Sequence, residues 1–205
     1  MRRLPTLGVA LATLAVVMGA FSAFAGPAGA RPDRVAQTSS DDAGRVSIIK
    51  VEGLIDPVMA EFIDRSISEG EAADVVAVVL QMDSSGSVID DDRLVELAKH
   101  IHEATVPVAV WVGRSGSSAL GGSAQLAGAA ERIGIAPGAR IGKTGPLVVP
   151  DEYLSPAFLA ASDRLENGTI NGAEAYKLKI TADKDAPVIG EFLIDIPGFV
   201  VKEVK

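Results

Sequence analysis

Hydrophobic and polar positions change their period several times along the chain, and the changes mark its elements. Val46-Ser47-Ile48-Ile49-Lys50-Val51 is rich in β-branched residues and predicts a strand, closed by Glu52-Gly53. Asp56-Pro57 then predicts a helix start, with Asp as the N-cap and Pro at the first helical position. Val58, Met59, Phe62, Ile63 and Ile67 recur at helical spacing up to Gly70, which places Phe62 and Ile63 on the buried face. Val75 to Met82 is almost wholly apolar, as a strand covered on both faces should be. Asp83-Ser84-Ser85-Gly86-Ser87 breaks that run and is expected to turn. A helix from about Asp90 carries Leu94, Leu97, Ala98 and Ile101 on one side, and Val106 to Val112 is a third long strand.

Beyond it, Ser115 to Ala130 passes into a helix of Gly, Ala and Ser residues. Arg132 to Ile135 is a short strand before a turn at Ala136-Pro137-Gly138. Ser155-Pro156 opens a helix with Phe158, Leu159 and Leu165 inward, and Asn171 with Glu174 forms a capping box for another. Strands alternating with helices predict an α/β fold, with parallel strands joined by helical crossovers.

The N-terminus has a different grammar. Met1-Arg2-Arg3 is basic, Leu4 to Ala25 is uncharged, and Ala23-Phe24-Ala25 and Ala28-Gly29-Ala30 follow. Residues 1–30 therefore read as a secretory signal peptide, or as an uncleaved anchor, since the uncharged stretch is long enough to span a bilayer. Either way the rest is secreted across, or anchored to, the cytoplasmic membrane. Residues 31–45 are polar, with Pro32 and Thr38-Ser39-Ser40-Asp41-Asp42, and read as a linker. The domain is expected over residues 46–198, with residues 199–205 as a tail.

A hydrophobic content of 48% with 22% charged residues is that of a globular chain. The net charge of −8, with no basic stripe, argues against nucleic acid as a partner. The chain has no cysteine, which excludes disulfides, thiol catalysis and Cys-ligated zinc. No motif calls for a cofactor or a metal.

Several segments resemble, in order, those of the NfeD family of ClpP-class membrane serine peptidases. Val51-Glu52-Gly53-Leu54-Ile55-Asp56-Pro57 is similar to that family's opening strand and turn, and Leu80 to Ser87 to its L-x-L-D-T-P-G-G segment. Ile135-Ala136-Pro137-Gly138-Ala139-Arg140-Ile141-Gly142 and Asn171-Gly172-Ala173-Glu174-Ala175 resemble two later ones. The resemblance implies a crotonase-like fold, a spiral of ββα units, and a homo-oligomer. It also implies a stomatin-like membrane protein as partner, with apolar C-terminal segments as substrate. Full-length members continue into membrane helices and a small β-barrel domain.

The nucleophile segment departs from that pattern. In the family a serine opens the small-residue helix and an Ala-Ala follows eight residues later. Counting back from Ala129-Ala130 reaches Gly121. The family's base is a lysine about forty residues downstream, where this chain has Ser162, and no lysine lies between Lys143 and Lys177. His100 and His102, the only histidines, precede the segment and suit a helix surface. Gly86, Ser87 and Gly122 stand where the family places its oxyanion and substrate-binding groups, although Asp83 to Ser87 reads equally as a plain turn. Ser123 with Lys143 is the one substitute dyad to weigh. Two residues along a helix is about 200° of rotation, which turns Ser123 away from the direction of Gly121.

The reading is an NfeD-like peptidase homologue that has lost nucleophile and base and binds apolar peptide segments against a strand edge. The alternatives are an active serine endopeptidase using Ser123 and Lys143, and a structural subunit of a membrane complex.

Overall fold

β1 (Val46–Ile55) runs parallel to β2 (Ala77–Ser87) along its whole length, with a register shift between Gly53 and Leu54. The computed structural model describes residues 44–199 apart from 185, 195 and 197. All of them belong to one unit of the chain, residues 38–205. The expected signal segment, nearly all of the linker and all of the tail except Phe199 lie outside the described residues.

Parallel pairing needs a crossover, and α1 (Pro57–Ala72) supplies it between β1 and β2. Asp56 caps this helix by accepting the Met59 N–H at 2.8 Å, with Pro57 in its first turn. α2 (Asp91–Glu103) leads to β3 (Val108–Val112), which pairs parallel with the first half of β2, Val78–Met82. β4 (Ser118–Leu120) meets β2 further along, at Ser84 opposite Ala119. α3 (Gly122–Ala129) and β5 (Arg132–Ile135) follow, β5 pairing with β3. β6 (Arg140–Gly142) pairs parallel with β4, and β7 (Thr169–Ile170) antiparallel with β6. The sheet thus forks on β2, with β3 and β5 along one half and β4, β6 and β7 along the other. α4 (Pro156–Ala160), α5 (Ser162–Asn167), α6 (Gly172–Lys177) and α7 (Ile189–Ile194) complete the described elements.

Three expectations change. Asp83 to Ser87 is not a turn: it is the second half of β2, held by β1 on one edge and by β4 on the other. Asp, Ser and Gly are poor strand formers alone, but pairing on both edges overrides so weak a preference. Phe62 is 47% exposed, while the buried face of α1 is Ala60, Ile63, Ser66, Ile67 and Gly70. The helix opened by Ser155 breaks at Ala161 into α4 and α5.

The small residues of α3 have a packing cause. The helix is buried from Ser123 through Ala129, and a β-carbon at position 128 would lie 2.7 Å from the Phe158 ring. The capping box at α6 forms in both directions, with Asn171 accepting the Glu174 N–H and Glu174 accepting the Asn171 N–H.

Candidate functional site

Gly121 joins β4 to α3 at φ 58° and ψ −132°, a backbone conformation that side-chain-bearing residues rarely adopt. A sharp strand-to-helix turn of this kind exposes its central residue at the head of a sheet, where serine hydrolases hold their nucleophile. The turn is fixed from both sides. The Gly121 N–H donates to the carbonyls of Gly142 (3.2 Å) and Lys143 (3.1 Å), and its carbonyl accepts from Ala124 (3.0 Å) and Gln125 (3.2 Å). A β-carbon here would rest 3.6 Å from the Gly86 α-carbon and 4.0 Å from the Lys143 carbonyl oxygen. Both are ordinary van der Waals contacts, so the backbone angle, not a clash, disfavours a side chain here.

Gly86 and Ser87 reach this point through β2. Gly86 sits at φ 147°, and the buried Ser84 hydroxyl folds over it, donating to the Gly86 carbonyl (2.9 Å) and accepting its N–H (3.3 Å). The Ser118 N–H donates to the Asp83 carboxylate at 3.0 Å and ties β4 to β2. Ser87 presses its hydroxyl against Gly122, where an added β-carbon would meet Oγ at 2.0 Å. Gly122, first in its helix, has an N–H with no intrahelical acceptor. Gly86, Ser87, Gly121 and Gly122 are therefore gathered at one point.

Ser123 and Lys143 do not bring their side chains to that point together. The Ser123 hydroxyl is fully buried and donates to the Leu120 carbonyl at 2.7 Å, with the Ser84 carbonyl at 3.4 Å. Lys143 is exposed, with φ 47°, and contributes its main chain: its carbonyl accepts from Gly121 while its N–H donates to Gly168 at 2.7 Å. Ser162, where the resemblance leads one to expect the base, begins α5 and lines a shallow depression with Gly145, Pro146 and Leu147.

Gln125 is a part of the site that sequence reasoning passed over. Its amide donates to the carbonyls of Thr144 (3.0 Å) and Pro146 (3.2 Å) and accepts the N–H groups of Val148 (2.9 Å) and Val149 (3.1 Å). One buried side chain thus pins residues 144–149 beside the turn. A lone amide in a run of Gly, Ala and Leu was the available signal.

The histidines serve the outer helices. His100 bridges α2 to α1, with Nδ1 on Asp64 and Nε2 3.5 Å from Glu71. Glu71 also accepts the Thr105 N–H at 2.7 Å, which with the Thr105 hydroxyl and His100 holds its carboxyl below the usual range. Partial burial pushes the Asp64 carboxyl up, but His100 and Arg93 outweigh it and the net shift is downward. His102 is exposed, its ring tilted against Tyr153. Among the described residues no group of three His, Cys, Asp or Glu could hold a metal ion.

Comparisons with known proteins bear on this geometry. A family model described as the NfeD1b N-terminal domain matches residues 45–149. The membrane-bound protease PH1510 of Pyrococcus horikoshii is 25% identical over 103 residues, 50% of this chain and 23% of that protein's length. A mutant of the 1510-N membrane-bound stomatin-specific protease, solved with a substrate peptide, superposes with a TM-score of 0.62. It is 22% identical and is matched over 74% of this chain and 80% of that one. A probable enoyl-CoA hydratase/isomerase from Mycobacterium abscessus superposes with a TM-score of 0.55 at 12% identity, over 68% of this chain and 65% of its own. The crotonase-like, ClpP-class fold expected from the motifs is thereby established. Among the described residues no helix is long and apolar enough to cross a membrane.

Proposed function

Because the chain belongs to the family of NfeD1b N-terminal domains, we propose that it is an extracytoplasmic peptidase homologue that holds apolar peptide segments without cutting them. The observation that carries the reading is Gly121, which occupies the strained strand-to-helix turn at φ 58°, beside Gly86, and brings no side chain to it. Acyl transfer in such a site needs a nucleophile and a base to activate it. Here the turn has no side chain, and the nearby Ser123 hydroxyl is buried and bonded to Leu120. What survives is a cradle of main chain, formed by the end of β2, Gly121 and the start of α3. Such a cradle suits an extended peptide, whose main chain supplies affinity through hydrogen bonds.

The partner that the relatives suggest is a stomatin-like membrane protein, since 1510-N is a stomatin-specific protease. The protein is taken to act as a homo-oligomer, which sedimentation tests. Fluorescence anisotropy with labelled apolar peptides from stomatin-like C-termini, followed by mass spectrometry of the same mixtures, tests the function. Binding with the peptides left intact is expected. Cleavage abolished by Ser123→Ala would instead establish an active endopeptidase, and absence of binding at millimolar peptide would leave a structural subunit.

A further inference from the structure

Gly86 leads directly, through Ser87, to a cleft of about 510 Å³ where the N-terminal ends of α1 and α2 face each other. Pro57, Val88 and Ile89 give the cleft an apolar lining, and Val88 is 60% exposed. The chain links this cleft to the Gly121 site through Ser87 and Gly86. Leu54, paired with Gly86, places Cδ2 3.7 Å from where a Gly86 β-carbon would stand, and is half exposed. The Val88 N–H then donates to the Ile55 carbonyl at 2.9 Å, fixing the path from Gly86 to the cleft.

The charge in the cleft is predominantly negative. Glu61, Asp90, Asp92 and Glu96 line it against the single guanidinium of Arg93. That guanidinium is engaged by Glu96 (3.2 Å), Asp64 (3.3 Å) and Glu61 (3.6 Å), so it is not left to receive an anion. Asp90 caps α2, and the partial positive charge of each helix N-terminus offsets about half a unit. A negative excess remains, with Asp92 exposed at the surface. A second copy of this chain, itself carrying −8, would meet that excess with more of the same sign.

We propose that this cleft extends the peptide site and selects apolar segments that carry a lysine or arginine a few residues from the part held at Gly121. The inference rests on the peptide-binding reading above. Gly86 and Asp90 are four residues apart, at most about 14 Å of extended chain. The selected cation therefore lies within about four residues of the one seated beside Gly86.

The test uses three ten-residue apolar peptides that differ at one such position, carrying lysine, glutamine or glutamate, and titrated by anisotropy at low and high salt. The lysine peptide is expected to bind at least about tenfold more tightly than the glutamate peptide at low salt. The gap should narrow at high salt and collapse in Asp92→Lys, with the glutamine peptide unaffected. Glu96→Gln, which keeps the shape, should narrow it in part. Equal affinities for all three peptides, still lost in Gly86→Val, would overturn the extended cleft and leave the peptide site standing. A preference for glutamate would overturn it too. If none of the three binds, the peptide-binding reading falls with it.

Discussion

The Ser123 hydroxyl donates to the Leu120 carbonyl at 2.7 Å, spanning the Gly121 turn from the first helical turn of α3 back to the last residue of β4. A hydroxyl used in this way closes the structure instead of facing a substrate. A serine-directed fluorophosphonate is therefore expected to leave the protein unlabelled. Ser123→Ala should cost on the order of 1 kcal/mol, the worth of one hydrogen bond, and leave peptide affinity unchanged. Stoichiometric labelling at Ser123, lost in Lys143→Ala, would reverse this assignment.

Gly121→Ser tests the turn itself. A β-carbon would make ordinary contacts with Gly86 and Lys143, so the cost is that of the backbone angle, about 1–3 kcal/mol. For a chain of this length that is a melting-temperature loss of several degrees. Hydrolysis should not appear, because the resemblance puts Ser162 where a base is expected and Lys143 offers its carbonyl to the turn. Turnover of an apolar peptide by this variant would show that a base had been overlooked.

The strand–helix alternation was legible because buried parallel strands such as Val75–Met82 are continuous apolar runs, and because Asp56-Pro57 and Asn171/Glu174 carry their own capping chemistry. The spacing to Ala129-Ala130 singled out Gly121, and that residue makes the turn between β4 and α3. Asp83–Ser87 was not, since its strand character comes from β1 and β4, which are distant in the chain. Nor were the bonds of Gln125, whose partners lie some twenty residues on. On α1 the apolar residues spread round the helix, so their spacing alone did not choose between the face of Phe62 and that of Ile63.

That choice has a measurable consequence. Ile63 is fully buried, and Ile63→Ala should cost about 2–5 kcal/mol. Phe62→Ala, at a half-exposed position, should cost less than about 1 kcal/mol. Urea midpoints for the two variants check the order, and a larger loss at Phe62 would refute the assigned face.

Acid should loosen the tie between α1 and the segment after α2. The Glu71 carboxyl is held below its ordinary range by Thr105 and His100, so its contribution is present above the unfolded value, roughly pH 4.3. It is lost as the pH falls through the lower, folded value. Glu71→Gln should make the acid branch of stability against pH shallower below about pH 4. Superimposable acid branches for variant and wild type would remove Glu71 from the account.

The strongest single-residue effect is expected at Gln125. Replacing it with leucine keeps most of the volume and strips the partners from the carbonyls of Thr144 and Pro146 and the N–H groups of Val148 and Val149. Buried groups left unpaired cost about 1–3 kcal/mol each. Allowing for water at the more open ones, the total is on the order of 3–5 kcal/mol. Glutamate should not substitute, because it restores the acceptor for the two N–H groups but sets an acceptor against the two carbonyls. Lys143, whose carbonyl receives the Gly121 N–H, immediately precedes this segment, so peptide affinity should fall along with stability. Urea denaturation and hydrogen exchange over residues 144–149 read the effect. A loss below about 1 kcal/mol with exchange unchanged would mean that the segment is held by its own turns and that Gln125 only fills space.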